Sequence, residues 1–129
     1  MDRVPILKIG DILLVSIQID MEDHVALQLQ ENLADRIVET GCHGVIIDIT
    51  GVPAVDTQVA QHILKTVVAA RLMGADCIIS GIRPQIAQTI VALGIEFGDI
   101  ATKASLADAL VVALGRSGFE VVRATGRRG

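Results

Sequence analysis

Residues 45–74 read VIIDIT, then GVPAVDT, then QVAQHILKTVVAARLMG. The first block is a near-continuous apolar run from Val45 to Ile49 and reads as a buried strand. The last carries apolar residues in adjacent pairs, Val59-Ala60, Ile63-Leu64 and Val67-Val68, followed by Leu72. That spacing predicts a helix from about Thr57 to Met73, with Gly74 as its stop. Between strand and helix, Asp56 and Thr57 fall at the helix start, and either can cap it. A hydroxyl there lies beside free backbone N–H groups and the positive end of the helix dipole. Phosphate on Thr57 would add about 1.5 to 2 negative charges. The helix N–H groups would partly stabilise them, and Asp56 would oppose them. The core would stay intact while the surface changed. The apolar stripe of this helix is broad. It is either a wide core face or a core face with a margin left for another protein.

The same reading extends outward in both directions. Residues 4–9, VPILKI, and 12–17, ILLVSI, are short apolar runs separated by Gly10-Asp11 and form a hairpin. Pro5 has no N–H for a ladder, which puts the first strand at an edge or makes it irregular. Asp20 is expected to cap the next helix, with Asp23 completing a reciprocal box. Ala26, Leu29, Leu33 and Ile37 follow at helical spacing up to Gly41. Beyond Gly74, CIIS within residues 75–80 is a further strand, and Pro84 suits the first turn of a third helix ending at Gly94. A short strand is expected within residues 95–100. Ser105 caps a fourth helix, boxed by Asp108 and stopped by Gly115. Residues 119–122 add a brief strand or pack back on the body. Alternating strands and helices after a hairpin predict an α/β fold, a mixed β-sheet flanked by about four helices.

Composition narrows the function. With 129 residues, 51% of them hydrophobic, the chain makes one domain with a real core. Phe97 and Phe119 are its only aromatic residues, so stacking platforms for single-stranded nucleic acid are nearly absent. The net charge of -4 argues in the same direction, against a nucleic-acid partner. Charge is uneven: residues 1–115 carry seven Lys/Arg against fourteen Asp/Glu, and residues 116–129 carry four Arg against Glu120. The domain is expected over 1–115. Residues 116–129 then form a basic, flexible or loosely packed tail, which could touch an anionic partner or simply fray. No apolar run reaches the roughly 18 residues of a membrane helix, and no signal-peptide core follows the amino end. Cys42 and Cys77 make no disulfide scaffold, and a cytoplasmic location fits them.

Catalytic chemistry is hard to find. CxxC, HExxH, GxSxG and P-loop patterns are absent, as is the Gly-rich dinucleotide loop. His24, His43 and His62 are far apart, and Cys42, His43 and Cys77 lack the spacing of a structural zinc site. No catalytic residue, metal or cofactor is assigned. Asp48 interrupts an apolar strand. Either it is buried and paired, or it lies near the carboxyl end of the strand, where open α/β sheets gather functional groups. Thr89 is a second candidate hydroxyl, set mid-helix between apolar positions.

VIIDITGVPAVDT and the alanine-rich helix after it resemble the central strand, phosphorylation loop and second helix of the STAS domain family. PILKIGDILLVSIQ (5–18) and ENLADRIVETGCHGVIIDIT (31–50) resemble its RsbS branch, the small core proteins of the stressosome. DITGVPAVDT (48–57) and GIRPQIAQTIV (81–91) also resemble the carboxyl-terminal domain of RsbR-type proteins. The beginning looks like the RsbS branch, which is expected to carry no sensor domain ahead of it. The resemblance implies a non-enzymatic scaffold that joins RsbR-type sensor proteins in a large hetero-oligomer and sequesters an RsbT-type kinase. That kinase phosphorylates the antagonist and is released, and an RsbX-type phosphatase resets the system. The motif match puts the acceptor at Thr57, where serine is common in RsbS-like proteins, with Thr89 as a second site. The alternative is a passive STAS module binding a partner, or a nucleotide or other anion, at the same helix start.

Overall fold

The computed structural model describes residues 4–17, 22–94 and 98–124. Five strands form one sheet in the order β1 (Ile6–Ile9), β2 (Ile12–Ser16), β3 (Gly44–Asp48), β4 (Asp76–Ser80), β5 (Ala101–Lys103). β1 pairs antiparallel with β2, and every other pair is parallel. The hairpin therefore forms as expected, with Gly10 at φ 57 in its turn and Pro5 just ahead of an edge strand. The helices are α1 (Asp23–Thr40), α2 (Thr57–Leu72), α3 (Pro84–Ala92) and α4 (Leu106–Arg116). The α/β fold with a mixed sheet and four helices is the one the residue pattern predicts.

The two sheet faces are covered unequally. Leu13, Val15, Val45, Ile47, Cys77 and Ile79 pack with α1, α2 and α3 in one large core. Ile12, Leu14, Ile46 and Ile78, the alternate residues, pack against Ala109 and Ala113 of α4. Period-two alternation thus splits each inner strand between two cores. With both faces covered, the strands read as continuous apolar runs. All parallel strands point the same way, so Asp48 and Ser80 lie together at their carboxyl ends, in register.

Several local expectations need correction. Asp20 and part of the 95–100 segment lie outside the described residues. The residue before α1 is Glu22, which makes no side-chain capping bond, and Asp23 turns to another helix instead. The last strand is Ala101–Lys103, because a turn containing Gly98 at φ 60 precedes it. Residues 119–122 form no strand, and Phe119, Val121 and Val122 stand exposed. Gly115 does not stop α4; it lies inside the helix, and Gly118 at φ 88 follows the end.

One glycine is irreplaceable for position as well as for conformation. Gly81 has φ +82, and a Cβ there would meet the Thr50 side-chain oxygen and lie 2.5 Å from its backbone N. Gly81→Ala is expected to destabilise the protein by about 1–3 kcal/mol, from overpacking against backbone that cannot swing away. Urea unfolding of both proteins checks this; equal midpoints would contradict it.

Candidate functional site

The loop between β3 and α2 is built from its two ends. At its start, Asp48 is only 7% exposed. Its carboxylate accepts hydrogen bonds from Ser80 Oγ at 2.7 Å and Thr50 Oγ1 at 2.9 Å. Both readings of Asp48 thus hold: it is buried and hydrogen-bonded, and it sits at the carboxyl end of the sheet. The backbone continues the same fastening, with Ile49 N donating to Ser80 O at 2.9 Å and Val52 N to Ile49 O at 3.0 Å. Val52 and Val55 are buried, so the loop is also anchored by apolar side chains.

At its end, Asp56 is the N-cap of α2, with extended backbone and Oδ1 accepting from Val59 N at 2.8 Å. Thr57 is the first helical residue and is exposed. The sequence left open which of the two caps, and the structure selects Asp56. Helix geometry turns the N–H groups of Thr57 and Gln58 toward the same end. The site therefore offers an exposed hydroxyl on a rigid helix start, beside N–H donors and one carboxylate. It brings together Asp56 and Thr57 but not Thr89. That residue lies on α3, half-buried, and donates its hydroxyl to Gln85 O at 2.9 Å.

Two sets of contacts around the loop escape sequence reasoning. Arg83, just before α3, donates from Nη2 to Val52 O at 2.6 Å and from Nη1 to Thr50 O at 3.4 Å. Asp23 Oδ1, at the start of α1, accepts from Gln58 Nε2 at 2.7 Å and lies 2.8 Å from His62 Nε2. The hydrogen bond from Gln58, then that from His62, hold the Asp23 carboxyl below its ordinary value. These partners are 31 to 39 residues apart, beyond any local spacing rule. The only sequence signal was the placement of Arg83 beside Pro84 at a helix start.

The wide stripe of α2 divides. Ala60, Ile63, Val67 and Ala70 face the core. Thr57, Gln61, Val68 and Leu72 share the opposite side by helical spacing and are exposed, Leu72 by 81%. The other candidate groups lie elsewhere. His43 sits at the opposite end of β3, with Nδ1 3.0 Å from Asp11 Oδ2. Cys42 and Cys77 are free and buried, and burial pushes the Cys77 thiol up to about 12. Among the described residues no group of three or more His, Cys, Asp or Glu could hold a metal ion. No helix there is long and apolar enough to cross a membrane.

Asp56→Ala is expected to cost about 1 kcal/mol through the lost cap, with Thr57→Ala changing stability less; thermal unfolding compares them. Acid tests the second contact. Because the folded-state value of Asp23 is lowered, its contribution is in place above the ordinary 3.8 and is lost as pH falls through the folded value. The stability difference between wild type and Asp23→Asn should therefore narrow on acidification; a difference independent of pH would contradict this.

Comparison with known proteins gives a consistent picture. The STAS domain model matches residues 3–109. The RsbT co-antagonist protein RsbRA of Bacillus subtilis (strain 168) is 46% identical over 97 residues, covering 75% of this chain and 35% of the relative. RsbRD of the same organism is 39% identical over 102 residues, again covering 35% of that relative and 79% of this chain. The chain thus spans about a third of the length of these relatives. Among solved structures, RsbS of Moorella thermoacetica, in a serine-to-glutamate variant, superposes with a TM-score of 0.76 at 28% identity. The match covers 90% of this chain and 98% of that one. A chain of the stressosome, described as a signal integration and transduction hub, gives 0.74 at 27% identity, covering 89% of this chain and 100% of that one.

Proposed function

The chain belongs to the STAS domain family, close to the RsbR and RsbS stressosome antagonists, and from that premise we propose that it is a non-enzymatic scaffold and antagonist whose switch is phosphorylation of Thr57. It holds an RsbT-type serine/threonine kinase and releases it once Thr57 carries phosphate. It assembles with RsbR-type sensor proteins in a large hetero-oligomer, and an RsbX-type phosphatase resets it.

The observation that carries this reading is the exposed hydroxyl of Thr57 at the first position of a capped helix. The acceptor is presented on rigid backbone, and a phosphate there meets helix N–H groups rather than the core. The charge change is nonetheless large. Asp56 is adjacent, and Asp23 is bound to Gln58, the next residue along. About 1.5 to 2 further negative charges beside two carboxylates make that surface much more negative. The exposed Val68 and Leu72 share the side of α2 that carries Thr57 and give a partner that runs along the helix an apolar area toward its far end.

Thr89 is a second, slower acceptor in this reading. Its hydroxyl lies mid-helix and donates to Gln85 O, a hydrogen bond that is lost when the hydroxyl hydrogen is replaced by phosphate.

Replacing Thr57 with alanine tests the switch. The variant should fold and retain the kinase on an affinity resin with ATP present, whereas wild type lets it go. A folded Thr57→Ala protein that released the kinase at the wild-type rate would overturn the mechanism and leave a passive binding module. Such a module is expected to show saturable binding of a nucleotide or another anion by calorimetry.

A further inference from the structure

We propose that Arg83 is the positioning residue for Thr57: it clamps the β3–α2 loop from the neighbouring β4–α3 connection and so sets the geometry in which the hydroxyl is offered. The proposal rests on the reading of Thr57 as phosphate acceptor and adds to it the device that presents it.

The guanidinium spans two carbonyls, those of Thr50 and Val52, on either side of Gly51. Gly51 and Ala54 give the loop little side chain to pack, so its path depends on its tethers. Val52 and Val55 bury their side chains, which fixes depth, and Asp56 caps the helix, which fixes the exit. The carbonyls between are oriented by Arg83 alone among the side-chain hydrogen bonds described for them. A planar fork can hold two acceptors at once; the charge-assisted bond to Val52 O is the short, strong one, and the 3.4 Å contact to Thr50 O is weaker.

Arg83 contributes nothing comparable to its own helix. It stands at the N-cap of α3, but its side chain makes no capping bond, and Pro84 fills the first turn. Gly81, two residues earlier, lets the β4–α3 connection approach Thr50 closely enough for the clamp to close. The two connections meet at the carboxyl ends of β3 and β4, where Ser80 already holds Asp48. Loop and clamp therefore form one unit, in which a side chain outside the acceptor loop helps set the path that leads to Thr57.

The test uses the full chain with Arg83→Gln and Arg83→Lys, each compared with wild type in two measurements. The first is hydrogen exchange of the backbone. Arg83→Gln should raise exchange about tenfold in residues 50–57 and leave Val45–Ile47 and Ile78–Ile79 unchanged. The second is the rate of phosphate transfer to Thr57 by the RsbT-type kinase. Arg83→Gln should lower kcat about tenfold with KM changed much less, since a misplaced acceptor slows the step more than it weakens docking. Arg83→Lys, which keeps the charge but not the fork, should fall between. Should the Gln variant fail to fold, the Lys variant carries the same comparison.

Unchanged loop exchange in a folded variant overturns the proposal. So does looser exchange with an unaltered rate of transfer, because Arg83 would then be structural only. A wild-type protein that accepts no phosphate from an active kinase defeats the acceptor reading itself. The exchange measurement still decides whether Arg83 holds the loop.

Discussion

The buried carboxylate of Asp48 fixes the loop that carries the proposed phosphate acceptor. A charge-bearing group at that depth is costly unless it is hydrogen-bonded. Ser80 from the neighbouring strand and Thr50 from the loop both donate to it. The consequence reaches beyond one side chain. The ends of β3 and β4 are locked in register, the loop leaves the sheet in a set direction, and Gly81 is forced against Thr50. Arg83 then takes the next two carbonyls, and Asp56 the first turn of α2. From strand end to helix start, Ile49, Thr50, Val52 and Asp56 each have a named hydrogen-bond tether.

That rigidity suits a switch read by another protein. Phosphate at Thr57 need not refold anything to act: it adds charge to a surface already held in place. Helix N–H groups lower the cost of the added charge, and Asp56 and Asp23 raise it. In the proposed switch, that balance would leave a Thr57-phosphorylated state tolerable to the fold and strongly different to a partner. α4 closes the other sheet face, and the Asp11–His43 contact ties the opposite end of the strands.

What could be read from the sequence was what short-range physics governs. The hairpin turn at Gly10-Asp11, the apolar strands, and the junction at Asp56-Thr57 all follow from periodicity, turn residues and caps. Asp23 shows where that reasoning fails. Its position suggested a local cap, yet its partners lie on another helix, in Gln58 and His62. Arg83 was hidden for the same reason, since tertiary approach alone brings it to Thr50 and Val52. The last strand escapes local reading because Ala101-Thr102-Lys103 has little apolar pattern of its own and exists by pairing with Ile78–Ser80. Gly115 has the position of a stop signal, but a glycine in helical conformation is merely less favourable there.

Site-resolved mass spectrometry, run as a time course with ATP and the RsbT-type kinase while kinase retention is followed in parallel, tests the central claim most directly. One phosphate on Thr57, appearing in step with loss of bound kinase and before any on Thr89, is the predicted result. An active kinase and a folded protein that yield no phosphate on Thr57, or kinase release that runs ahead of it, would contradict the account.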